Sequence, residues 1–142
     1  MTEQDATARA RDFIDAFNAH DWERVAAGIQ PDCLYDEIGT GRQAKGTDEI
    51  LEIFQGWTEA MPDARGAVKS AIASGNRVAL EVTWEGTLTG PFGEFPATGK
   101  SQVTPAALCF TFEGDRIKEC RQYFDSMALF QQLGLMPEPA RA

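Results

Sequence analysis

A chain of 142 residues with 43% hydrophobic and 25% charged side chains matches a single folded domain of residues 1–142 and excludes a disordered tail. Its 13 Lys+Arg against 22 Asp+Glu give a formal net charge of -9, a field that repels phosphate and makes nucleic acid and anionic membranes poor partners. The three cysteines, Cys33, Cys109 and Cys120, contain no Cys-x-x-Cys pair, so they read as free thiols of a reducing compartment.

The opening Met1-Thr2-Glu3-Gln4-Asp5 lacks the basic start and apolar run of a signal peptide, and no stretch nears about 18 apolar residues. A cytoplasmic protein without a membrane span is expected. From about Thr2 to His20, Ala10, Phe13, Ile14 and Phe17 recur at helical spacing. Asp21 is an N-cap for a short second helix, Trp22 to Ile29, which Pro31-Asp32 stops. Cys33–Ile38 reads as a short strand ending at Gly39-Thr40-Gly41. Thr47 is the expected N-cap of a third helix, with Ile50, Ile53, Phe54, Trp57 and Met61 as its buried stripe. Arg121 and Glu81 are expected to pair across the outer sheet face.

After Pro62 the period becomes two. Val68–Ala73, Arg77–Leu88, Val103–Phe112 and Ile117–Phe124 are strands, with hairpin turns at Ser74-Gly75-Asn76 and Glu113-Gly114-Asp115. Val78, Leu80, Val82 and Trp84 share one face; Ala79, Glu81, Thr83 and Glu85 share the other. Gly90–Pro96 is a loop fit to be a rim or lid, Asp125 caps a last helix from Ser126 to Leu133, and the tail with Pro137 and Pro139 is expected to be loose. Three helices, a mostly antiparallel meander and a short helix give an α+β domain with helices on one sheet face.

That order, with Phe17-Asn18-Ala19-His20-Asp21-Trp22, Met61-Pro62-Asp63-Ala64, Gly86-Thr87-Leu88-Thr89-Gly90, Ala97-Thr98-Gly99-Lys100 and Phe124-Asp125, is similar to the nuclear transport factor 2-like superfamily. It most closely resembles the SnoaL-like polyketide cyclases. The resemblance implies a cone of curved sheet wrapped around N-terminal helices, a homodimer through the outer sheet face, and neither metal nor organic cofactor. Those cyclases close a polyketide ester by an aldol reaction with an Asp as general acid/base. Ketosteroid isomerases, limonene-epoxide-type hydrolases and non-catalytic binders share the superfamily, so fold alone fixes no reaction.

Asp125 matches the cyclase carboxylate at the end of the last strand; its other reading is the helix N-cap. The hydrolase triad of Asp, Arg and Asp falls by position on Val82, Trp84 and Gln122, so all its ionisable groups are missing, although Gln122 should point inward. Tyr35 and Glu37 lie where those hydrolases hold water, and alternation puts both on one face. The single histidine, His20, sits in a turn, which leaves no Ser-His-Asp triad and no His-based metal site. Phe54, Trp57, Trp84 and Tyr123 would line a cone or fill it. Two functions follow. One is proton transfer on an apolar carbonyl compound (aldol cyclisation or isomerisation), with Asp125 or Glu37 as base and Tyr35, Tyr123 or Gln122 holding the enolate oxygen. The other is a binder of a small apolar molecule with the same cavity and no turnover.

Overall fold

Thr2 opens the first helix with a capping box: its hydroxyl accepts from the Asp5 N–H at 3.1 Å, and the Asp5 carboxylate accepts from the Thr2 N–H at 2.9 Å. The computed structural model describes residues 1–136, so the proline-containing tail lies outside the described residues. Helix α1 (Glu3–Asn18) buries Ala10, Phe13, Ile14 and Phe17, the stripe its sequence spacing predicts, together with Ala6 and Ala16. Helix α2 (Trp22–Ala27) is capped by Asp21, which accepts from the Arg24 N–H at 3.2 Å. It ends at Gly28, short of Ile29.

Ile29 instead begins a strand, β1 (Ile29–Glu37), which takes in the Pro31-Asp32 pair expected as a stop. The ladder shifts register between Ile29 and Leu34, and that irregularity accommodates a residue without an N–H. Strand β2 (Arg42–Lys45) pairs antiparallel with the end of β1 and is absent from the sequence reading, its four residues being too few to show a period. Helix α3 (Thr47–Ala60) starts one residue earlier than expected: Gly46, at φ 87°, is the N-cap and makes no side-chain bond, so Thr47 is already helical.

Four long strands follow, β3 (Arg65–Ser74), β4 (Arg77–Thr87), β5 (Ser101–Glu113) and β6 (Arg116–Phe124), then helix α4 (Ser126–Gln132). Both hairpin turns hold a glycine at positive φ, Gly75 at 58° and Gly114 at 62°. The six-stranded sheet has the order β2-β1-β6-β5-β4-β3, antiparallel except for β1 against β6. A strand ahead of α3 is as read at Cys33–Ile38, but the β1–β2 pair interrupts the order of three helices followed by the meander.

Alternation along β4 is as read: Val78, Leu80 and Val82 are buried, while Glu81 and Glu85 are exposed. The inner face meets α1 and α3 in one core. On the outer face Arg121 pairs with Glu119, and Glu81 accepts from the Ser70 hydroxyl at 2.6 Å, so the expected Arg121–Glu81 pair does not form. Among the described residues no helix is long and apolar enough to cross a membrane.

Two of the family-like stretches position the inner face. Asn18 clamps the edge strand β3: its Oδ1 accepts from the Gly66 N–H at 2.8 Å, and its Nδ2 donates to the Gly66 carbonyl at 2.9 Å. A Cβ on Gly66 would lie 2.7 Å from the Trp84 ring, so the glycine leaves room for the indole on the strand. Asp63 accepts from the Thr87 N–H at 2.8 Å, tying the end of α3 to the end of β4.

Candidate functional site

Three phenylalanines make the apolar wall of the cone. Phe54 of α3 packs edge-to-face with Phe13 and Phe17 of α1, each at 5.7 Å between ring centroids, and with Tyr35 of β1 at 5.0 Å. Trp57 and Trp84 complete this wall beside a cavity of about 70 Å³ between the helices and the sheet. An apolar cavity of about 150 Å³ takes up benzene. A larger ligand must therefore displace side chains here. Phe92 of the loop between β4 and β5 stacks on Trp57 at 5.0 Å and meets Phe130 of α4 at 5.8 Å.

The polar floor is one connected chain of hydrogen bonds. The Trp84 indole N–H donates to Gln122 Oε1 at 2.7 Å, and Gln122 Nε2 donates to the Tyr35 hydroxyl at 2.7 Å. Tyr35 in turn donates to Glu37 Oε2 at 2.8 Å. Strand alternation puts Tyr35 and Glu37 on one face, and the β1–β6 register sets Glu37 opposite Gln122. Glu37 is fully buried. Its Oε2 also accepts from the Trp57 indole at 3.0 Å, and its Oε1 accepts from Thr40 Oγ1 at 2.6 Å and from Arg42 Nε and Nη2 at 2.9 and 2.8 Å. The guanidinium lies 5.4 Å from the centre of the Trp57 ring, stacked over it. A buried carboxylate so supplied with donors avoids the cost of an unpaired charge. Burial first, and then the Glu37 charge, hold the Tyr35 phenol well above its ordinary pKa, so it keeps its proton.

Sequence reasoning finds Tyr35, Glu37, Gln122, Phe54, Trp57 and Trp84, and the structure brings them together. It places the other two apart. Asp125 is exposed, and its carboxylate accepts from the Ala128 N–H at 3.0 Å, capping α4. Tyr123 points to the outer face, 42% exposed, because its neighbour Gln122 takes the inward position. His20, at φ 54°, stacks on Trp22 away from the cavity wall. The sequence reading misses Arg42 and Thr40, which belong to the unread β2 turn. It also misses Gln102 and Thr104 of β5, although Thr104 lies inside the strand read as Val103–Phe112 and Gln102 one residue before it on the same face.

The family model described as SnoaL-like polyketide cyclase matches residues 8–133. The chain belongs to this family. No curated protein matches it. Among solved structures, this SnoaL-like chain is similar to AclR from Streptomyces galilaeus, at 21% identity over 99% of this chain and 91% of that one, with a TM-score of 0.85. It is similar to an NTF2-like protein from Burkholderia pseudomallei, at 21% identity over 94% and 98%, with a TM-score of 0.79. An LEH-like epoxide hydrolase from M. tuberculosis matches at 18% identity over 92% and 90%, with a TM-score of 0.74. At such identities the likeness is one of fold. The α+β cone expected from sequence is the fold observed. Trp84 and Gln122, two of the positions on which the sequence resemblance sets the hydrolase triad, form an uncharged hydrogen-bonded link in this SnoaL-like chain.

Proposed function

We propose that this SnoaL-like protein acts on a small apolar carbonyl compound by acid/base proton transfer, with no cofactor. One observation carries the reading: the Tyr35 hydroxyl stands at the cavity with a fully buried carboxylate, Glu37, 2.8 Å behind it. Gln122 has two N–H bonds and spends one on Tyr35, so the other is a fixed donor for the carbonyl oxygen. As the Tyr35 oxygen takes a proton from the carbon beside that carbonyl, its own proton passes to Glu37. The electron pair of the broken C–H bond moves onto the carbonyl oxygen under Gln122. Return of the proton at another carbon is an isomerisation; attack of the carbanion on a second carbonyl is an aldol closure. Phe54, Trp57 and Trp84 supply the apolar contact.

The test is deuterium uptake from D2O at the α-carbon of a panel of apolar ketones, followed by NMR. Uptake catalysed by the protein is expected, with a loss of about 100-fold or more in Tyr35→Phe and in Glu37→Gln, the general acid/base range. Uptake undiminished in both variants would remove the proton relay.

A second reading is a binder without turnover. It is favoured by the saturation of Glu37, whose two oxygens already accept from Tyr35, Trp57, Thr40 and Arg42. Ketones that bind and raise the melting temperature without exchanging their α-protons would establish it. In either reading the outer sheet face, with Val103 54% and Ile72 70% exposed beside Thr83, is proposed as a homodimer surface.

A further inference from the structure

The wall of the same cavity carries a polar group that the proton relay does not use. Gln102 of β5 is 3% exposed, and its side chain lines the cavity together with that of Gln122. Its Oε1 accepts from the Thr104 hydroxyl at 2.6 Å. Among the described residues, the hydrogen bond made by its Nε2 runs to the Met61 sulfur at 3.8 Å. A carboxamide nitrogen carries two N–H donors, and a thioether is a weak acceptor. The contrast with Gln122 is plain, since that amide has an indole donor on its oxygen and a phenol oxygen on its nitrogen. Buried amide donors find oxygen partners in folded proteins, and one that spends itself on sulfur at a cavity wall is placed for a ligand's oxygen.

The ladder fixes where this donor stands. Gln102 pairs with Gly86, whereas Gln122 pairs with Leu108, six residues further along β5. At about 3.4 Å per residue the two backbones are roughly 20 Å apart along the strand. Thr104 holds the orientation of Gln102: by donating to its Oε1, it leaves the amide nitrogen on the side of Met61 and the cavity.

We propose that Gln102 is a second oxygen-binding subsite, so that the ligand is an elongated apolar molecule with acceptor oxygens at both ends, a keto ester or diketone rather than a monoketone. This rests on the reading that Gln122 holds a carbonyl. Gln102 is thereby a specificity-determining residue: it selects the ligand by its far end and takes no part in the proton transfer.

The experiment compares two probes of matched length, 2-dodecanone and methyl 9-oxodecanoate, by isothermal titration calorimetry on the full chain and on Gln102→Met. Methionine keeps the length and removes both N–H donors. The wild-type chain should bind the keto ester about ten-fold more tightly than the ketone, the worth of one hydrogen bond to a buried donor. In Gln102→Met the ratio should fall to about one. Equal affinity of the two probes for the wild-type chain, or a ten-fold ratio that persists in Gln102→Met, would overturn the subsite while leaving the Gln122 site intact. Binding of neither probe to the wild-type chain would overturn the Gln122 reading and the subsite with it. Gln102→Leu, which removes the amide with a different shape, repeats the comparison if the methionine variant does not fold.

Discussion

Glu37 and Tyr35 show how far a single residue can be read from its neighbours in the chain. Their two-residue spacing in a short strand is enough to put both side chains on one face. It says nothing about which face, and nothing about Arg42, Thr40 and Trp57, whose donors make the burial of Glu37 tolerable. Tyr35 carries a pH consequence. Its phenol is held above the ordinary value of 10.0, and burial likewise pushes Cys33 from 9.0 to about 12 and Cys120 well above 9.0. Above these ordinary values the unfolded chain gives up protons that the folded chain retains, so the unfolded state binds fewer protons and stability falls as pH rises. Urea unfolding at about pH 8 and about pH 11 should show this alkaline loss. In Tyr35→Phe the loss should be smaller, because one of the retained protons is gone; an equal loss in the variant would show that Tyr35 ionises normally.

Elements reveal why one carboxylate of the sequence reading takes a structural place. Asp125 follows the last residue of β6 and precedes the first turn of α4, where a helix has N–H groups without intrahelical partners. Its carboxylate is spent on the Ala128 N–H, 3.0 Å away. Asp125→Asn should leave both stability and α-proton exchange unchanged, while Asp125→Ala should cost about 1 kcal/mol in urea unfolding. A loss of exchange in Asp125→Asn at unchanged stability would return Asp125 to the chemistry. The same scale explains what sequence periodicity misses. Strand β2 has four residues between turns, and Pro31 sits at a register shift, so neither presents a pattern long enough to read. The long strands β3 to β6 each alternate over nine residues or more and are legible within a few residues at either end.

For the whole molecule the question is what the sheet's outer face does. Val103, Ile72 and Tyr123 expose apolar surface there at 54%, 70% and 42%. A second copy covering this surface would bury it without disturbing the cavity, which opens on the opposite side of the sheet. Light scattering should return the mass of two chains for the wild type and of one chain for Val103→Asp, which sets a carboxylate in the patch. A wild-type mass of one chain would remove the dimer.

Composition, period and capping residues determined the α+β class, the long strands and the helices, because these are local preferences that repeat along the chain. The alternation of β4 and the inward side of Gln122 also follow from the sequence, since the side-chain period of a strand is two. Only the tertiary structure decided the rest. The parallel pairing of β1 with β6 joins residues far apart in the chain, as Glu37 with Gln122, and no local signal records that register. The hydrogen-bond chain from Trp84 to Arg42 runs over four strands, β4, β6, β1 and β2, and exists because the β1–β6 pairing sets Glu37 opposite Gln122. The donor left on Gln102 is likewise a matter of which partners packing supplies to a buried amide, and here packing supplies a sulfur.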